Sequence, residues 1–255
     1  MRNQMKKGML KSVVELIFEI ESKVAKTWAS SAHKRLYQAQ WGLKPPPQWF
    51  DHSIDVYYLW PTTNIPFWLE RGIFNSLGLK NGRLLELTCG DGFNTKHFYS
   101  HGAKEIIACD LDASAIKSAK QKNPAPNISY QVADIISGMP NGNFDNVIWD
   151  FGWRWCDYFS ENEVSIIVGN IKSRLSENGV FSGYNALFGS REIDSFNAIQ
   201  KHEIDFKNID SLKKYLLKFF KNVKVIETIY PSRHNMYFWA SDSEIPFGDN
   251  WGHIV

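Results

Sequence analysis

From Leu84 onward, short apolar runs alternate with helix-like segments, and few architectures accommodate that pattern. The runs are Leu84 to Leu87, Ile106 to Cys109, Ile128 to Val132, Val147 to Trp149 and Val180 to Tyr184. Helical patterning falls near Phe93 to Ser100, Ala113 to Lys122, Glu161 to Leu175 and Ser211 to Phe220. Strands apolar on both faces must be covered on both, and a crossover helix returns the chain parallel to its start. The alternation therefore predicts a doubly wound α/β sheet, mostly parallel. Two further β-rich runs, Val223 to Ile229 and Met236 to Ala240, flank the stretch Tyr230 to Asn235. They predict a hairpin-like return, which brings the sheet to seven strands with an antiparallel C-terminal edge strand.

A chain of 255 residues suits one such domain with extensions better than two small domains. Residues 81–243 are expected to form the domain, 1–80 a helical and aromatic extension packed on it, and 244–255 an irregular tail. Within the extension, Leu10, Val13, Val14, Leu16, Ile17 and Ile20 recur at helical spacing over Met9 to Val24. Pro45, Pro46 and Pro47 then exclude a helix, and another is expected from about Pro66. Glu15, Glu19 and Glu21 interrupt any export signal or membrane span.

The net charge of +2, from 29 basic and 27 acidic residues, gives no electrostatic reason to expect a nucleic acid or a membrane as partner. Cys89, Cys109 and Cys156 have neither a CxxC spacing nor an even count, which argues against a disulfide framework or a metal site and for a cytoplasmic location.

The run Leu84-Leu85-Glu86-Leu87-Thr88-Cys89-Gly90-Asp91-Gly92-Phe93-Asn94-Thr95 is an apolar strand, a turn with two glycines and a helix start. Glycines there let a ligand approach the backbone, and the helix N-terminus supplies free N–H donors. A dinucleotide fingerprint would place a third glycine at Thr95, so NAD is the runner-up cofactor. Asp110 closes the second strand, where a carboxylate can accept from both hydroxyls of a ribose. Asp112, just before the next helix, reads as an N-cap.

At these residues the chain resembles class I S-adenosylmethionine-dependent methyltransferases. Their first motif has an acidic residue followed by spaced glycines, as Glu86, Gly90 and Gly92 have here, with Thr88 standing where the first glycine would be. The resemblance implies a Rossmann-like fold and S-adenosylmethionine as cofactor. It gives Asp110 the ribose, Leu111 the adenine face, Asp134 the adenine amino group and Glu86 the methionyl end. Asp150, at the end of strand four, is counted with this set.

Open α/β sheets bind ligands beyond the carboxyl ends of their strands, so the methyl acceptor is expected near the loop Asp150 to Ser160. That loop is dense in rings, and Trp153 and Trp155 are assigned to the acceptor. The stretch resembles bacterial sugar- and surface-polysaccharide-associated methyltransferases, in which a Trp-Asp strand end is followed by a Glu-His-Phe group. Here Trp155, Cys156 and Asp157 stand in that place, and no histidine does. Lys201 to Phe206 and Tyr230 to Phe238 also resemble that group.

His202 can take a proton near neutral pH and Glu203 can orient it, so His202, Glu203 and Asp157 are the candidate catalytic residues. Arg233 and His234 are candidate acceptor contacts, Arg233 through a bidentate grip on a phosphate or carboxylate. No dense carboxylate set marks a metal site, so a metal-independent reaction is expected.

The leading reading is methylation of a small polar acceptor, a hydroxyl of a sugar or nucleotide-linked sugar. The alternatives are N-methylation of an amine or protein side chain, where orientation and desolvation replace a strong base, and a non-catalytic cofactor-binding partner protein. Oligomeric state is open at this stage.

Overall fold

The computed structural model describes residues 64–151, 155, 158–186, 206–230 and 233–245, with side chains for all of these except 64–69, 186, 229–230 and 233–234. The expected helix at Met9 to Val24, the Pro45 to Pro47 break and the tail beyond Ile245 lie outside the described residues.

Helix α1 (Asn64–Ser76) precedes β1 (Arg83–Leu87), α2 (Phe93–His97), a 3-10 turn (Tyr99–His101) and β2 (Glu105–Asp110). Next come α3 (Ala113–Lys122), β3 (Ile128–Val132), β4 (Phe144–Asp150), α4 (Glu161–Lys172) and β5 (Leu175–Ala186). The described elements end with α5 (Ile209–Leu216), β6 (Asn222–Tyr230) and β7 (Arg233–Ser241). They build a seven-stranded sheet in the order β3-β2-β1-β4-β5-β7-β6. The first five strands in chain order pair in parallel. β1 lies between β2 and β4, so successive crossovers run in opposite directions from it and open a crevice at the strands' carboxyl ends.

β7 runs antiparallel to both β5 and β6 and sits one place in from the edge. Composition explains which hairpin strand goes inside. Met236, Tyr237, Phe238, Trp239 and Ala240 are all buried, whereas β6 carries Lys224 and the exposed Glu227. Charged residues on an edge strand also discourage pairing with a further chain.

Local signals set the helix ends. Asp112 accepts from Ser114 N and Ala115 N and starts α3 as its N-cap. Ser160 and Glu163 form a capping box on α4, and Asn208 with Ser211 does the same for α5. α4 stops before Leu175 because Arg174 turns back to Pro140 O and Met139 O, and Leu175 already pairs with Phe144 in β5. A register shift follows, so that Val180 faces Asn146.

One face of the sheet, with Leu85, Val147, Trp149, Phe181 and Phe238, packs on Val164, Ile167 and Ile171 of α4 and Leu212 and Leu216 of α5. On the other face Leu84, Ile106, Ala108 and Ile148 pack on α3 and Tyr99. Farther along that face, Tyr184, Tyr237 and Trp239 pack against Phe74 of α1 and the following Leu77. Helix α1 and the turn after it are thereby fixed over β5 and β7.

Candidate active site

The turn after β1 is built from left-handed backbone. Thr88 has φ 58°, Gly90 56° and Gly92 75°. Glycine adopts such angles freely, but a β-branched residue does so only under constraint. The constraint on Thr88 is visible, because its Oγ1 shares its one proton between Leu87 O at 2.6 Å and Asp150 O at 3.3 Å. At Gly92 a Cβ would fall 2.5 Å from the Tyr130 hydroxyl oxygen, so space as well as φ demands glycine there. The turn is tied to β2 by Cys89 N to Cys109 O, 2.9 Å.

Asp110, at the end of β2, accepts from Gly90 N at 3.0 Å and from Asp112 N at 2.9 Å. Burial pushes its carboxyl above the usual range, and the Asp112 and Gly90 amides oppose the shift. Beside it Leu111 is 69% exposed and Val132, at the end of β3, 52%: large apolar side chains presented to solvent where a ligand would cover them. Asp134 accepts from Ile136 N at 2.9 Å and from the Ser137 hydroxyl at 2.6 Å, and these bonds, the hydroxyl first, hold its carboxyl below the usual range.

Glu86 is the most perturbed carboxyl of the site. Its side chain is buried, and Oε2 has no hydrogen-bond partner among the described residues. Burial pushes it up to about 8; the Thr95 hydroxyl opposes the shift, the charges of Asp150 and Asp110 add to it, and Arg71 opposes it. A buried carboxyl with an unused oxygen is suited to meet a cation.

Asp150, expected among the cofactor ligands, is engaged elsewhere. Its Oδ1 accepts from Arg71 Nη2 at 2.7 Å and Nε at 3.0 Å. Its Oδ2 accepts from Arg71 Nε and from Asn75 Nδ2, both at 3.0 Å. Trp155, expected to touch the acceptor, is fully buried. It stacks on Trp149 at 4.3 Å between centroids with planes 11° apart, and meets Phe206 and Phe238 edge-on. Its amide donates to Asn185 Oδ1 at 2.9 Å, which seats this residue of the loop against β5.

Asp157, His202, Glu203 and Trp153 lie outside the described residues. For Arg233 and His234 the backbone is described, and the pairing of Ala186 with Asn235 puts this start of β7 level with the carboxyl end of β5. Sequence reasoning missed Arg71 and Asn75, although Arg71 interrupts a stripe of Phe67, Trp68 and Phe74 at helical spacing. A charge on an apolar stripe signals a buried partner. Among the described residues, no group of His, Cys, Asp and Glu could hold a metal ion, and no helix is long and apolar enough to cross a membrane.

Comparison with known proteins bears on this geometry. Residues 85–182, the segment from β1 into β5, match the methyltransferase domain family model. A solved DhpI–SAH complex aligns with a TM-score of 0.55 at 16% identity, covering 86% of this chain and 98% of that one. The N-methyltransferase NodS from Bradyrhizobium japonicum WM9, in complex with S-adenosyl-L-homocysteine, aligns at 0.55 and 14%, covering 73% and 92%. The glycopeptide N-methyltransferase MtfA, complexed with sinefungin, aligns at 0.51 and 15%, covering 69% and 87%. At these identities the likeness is one of fold. No curated protein sequence matches the chain.

Proposed function

We propose, for a chain that carries an S-adenosylmethionine-dependent methyltransferase domain, that the methyl group goes to a small polar acceptor, a hydroxyl of a sugar or nucleotide-linked sugar. The observation that carries the site is the set at the ends of β1 and β2: the Glu86 oxygen with no partner among the described residues, the Asp110 carboxylate, the exposed Leu111 and the left-handed turn through Gly92. A cationic, ribose-bearing donor matches each of these groups. Glu86 would take its ammonium, Asp110 its ribose hydroxyls and Leu111 one face of its adenine. Asp134 would accept from the adenine amino group, since each carboxylate oxygen has a second lone pair. Gly90 and Gly92 would let it lie against the backbone.

The bound donor supplies an electrophilic methyl group on a sulfonium. The protein's part is to hold the acceptor in line with it, exclude water and accept the hydroxyl proton. His202 is our candidate for that base, with Glu203 orienting it and Asp157 as a further carboxylate. Trp153, Arg233 and His234 are assigned to gripping the acceptor. Asp150 and Trp155 are reassigned to structural roles, because the first is saturated by Arg71 and Asn75 and the second is buried.

Calorimetric titration with S-adenosylmethionine and, in parallel, NAD tests the donor; binding of NAD alone would overturn the reading. His202→Ala should spare donor binding and remove turnover, and unchanged turnover would dismiss that base. A second reading, N-methylation of an amine, draws on NodS and MtfA, both described as N-methyltransferases. Mass spectrometry of products from a panel of nucleotide sugars and amino sugars separates the two.

A further inference from the structure

Arg71 is fully buried, although it lies on a helix that precedes the first strand. Its guanidinium grips Asp150 with two nitrogens and lies 5.3 Å from the centre of the Tyr184 ring. Asp150 in turn touches the donor turn, because its carbonyl accepts from the Thr88 hydroxyl at the strained first position. From Thr88 the path continues through Cys89, bonded to Cys109 O, to Gly90, whose amide meets Asp110. A second contact runs beside the first. A Cβ at Gly72 would overlap the Phe98 ring, so α1 lies directly against the residue that ends α2, the helix leaving the donor turn.

We infer that Arg71 is a positioning residue: through Asp150 it couples the helix ahead of the sheet to the donor-binding turn, so that donor affinity depends on a side chain that does not touch the donor. The inference rests on the donor site assigned above. Its physical basis is a forked ion pair out of solvent, which fixes both partners in orientation as well as in distance. Lysine could keep the charge but not the fork. The coupling is reciprocal: whatever moves α1 moves the turn, and a donor that orders the turn tightens α1 by the same factor.

The test must separate positioning from mere stability, because removing one partner leaves the other as an uncompensated buried charge. The double variant Arg71→Met/Asp150→Leu removes both charges together. Val168→Ala, in α4 on the opposite face, serves as a destabilised control. Affinity for S-adenosylmethionine and S-adenosylhomocysteine is read by calorimetry, the unfolding midpoint by calorimetric scan, and the Thr88 to Gly92 amides by hydrogen exchange.

The expected result is about a tenfold loss of affinity in the double variant, within the usual range of coupling between sites, with faster exchange at Gly90 and Gly92. Val168→Ala should lower the midpoint and leave affinity unchanged. Wild-type affinity in the double variant overturns the inference, and so does an equal loss in Val168→Ala. If the double variant does not fold, Arg71→Lys decides, a weakened affinity supporting the coupling and an unchanged one overturning it. A wild-type protein that binds neither ligand defeats the donor assignment itself, and the inference with it.

Discussion

The two halves of the sheet are held by different means. On the β1–β2–β3 side the candidate site is framed by local backbone, a left-handed turn and amides that hold Asp110, with the Leu111 side chain exposed beside it. On the β4–β5–β7 side it is made of long-range side-chain contacts, with Arg71 on Asp150, Tyr184 on Asn235 and Glu70 on Thr228. The first half leaves Leu111 and Val132 exposed and a Glu86 oxygen without a partner among the described residues. The second half fills itself, and its residues meet each other before they meet anything else. Where a ligand is common to a whole class of enzymes, a backbone mould is enough. Where the partner is particular, the surface comes from loops that the scaffold only supports.

Substitutions can break or sharpen this contrast. The largest effect is expected at Asp110. Asp110→Ala should weaken donor binding by about 100-fold or more, since hydrogen bonds to a charged group contribute roughly 1.5–3 kcal/mol each. On the other half Tyr237→Phe, which removes a buried hydroxyl with no partner among the described residues and keeps the ring, should change donor affinity by less than about twofold, because a site remote from the donor set acts independently of it. Titration of both variants with S-adenosylmethionine reads the difference directly, and equal losses would erase the division between the halves.

Glu86 should make the donor half sensitive to pH. Its folded value of about 8 lies above the ordinary 4.5, so the native protein keeps a proton that the unfolded chain releases. That contribution to stability is complete below pH 4.5 and is lost as pH rises toward 8. Glu86→Gln should therefore be more stable than wild type at pH 8, and should bind donor more weakly. The gain should be about 2 kcal/mol, since each tenfold change in proton affinity corresponds to roughly 1.4 kcal/mol and relaxation around the buried charge absorbs part of the total. Urea unfolding at pH 5 and pH 8 checks the sign; a wild-type curve that gains stability over that interval relative to the variant contradicts it.

Two smaller effects distinguish surface from frame. Leu111→Ala removes an exposed side chain, so the unfolding midpoint should stay put while donor affinity falls about five- to tenfold, as expected for losing about 1 kcal/mol of apolar cover. Thr88→Gly should raise stability by about 0.5 kcal/mol, because relief of a left-handed β-branched residue slightly exceeds the added freedom of the unfolded chain. Loss of stability there would mean that the shared hydrogen bond of the Thr88 hydroxyl outweighs the strain.

The same contrast explains what could be read in advance. The central strands were legible because apolar runs such as Leu84 to Leu87 and Ile128 to Val132 encode burial locally, and Asp112 announced α3 by capping it. Glu86, Gly90, Gly92, Asp110 and Leu111 could be proposed as a set for a related reason, since each lies within a short segment that ends a strand. Arg71 was not among them. Its partner is 79 residues away, and although its place on an apolar stripe implies burial, nothing local names Asp150 as the group it would meet. Trp155 failed in the opposite sense. A ring-dense loop suggested a pocket lining, whereas this indole lies fully buried and stacked on Trp149.

That stack has an optical consequence. Two indoles 4.3 Å apart and nearly parallel share their electronic excitations, so the pair should carry a circular dichroism signature that neither ring has alone. One ring belongs to β4 and the other to the loop that follows it. The protein thus contains its own chromophoric gauge of whether Trp155 is seated, readable in solution without a label while acceptors are titrated.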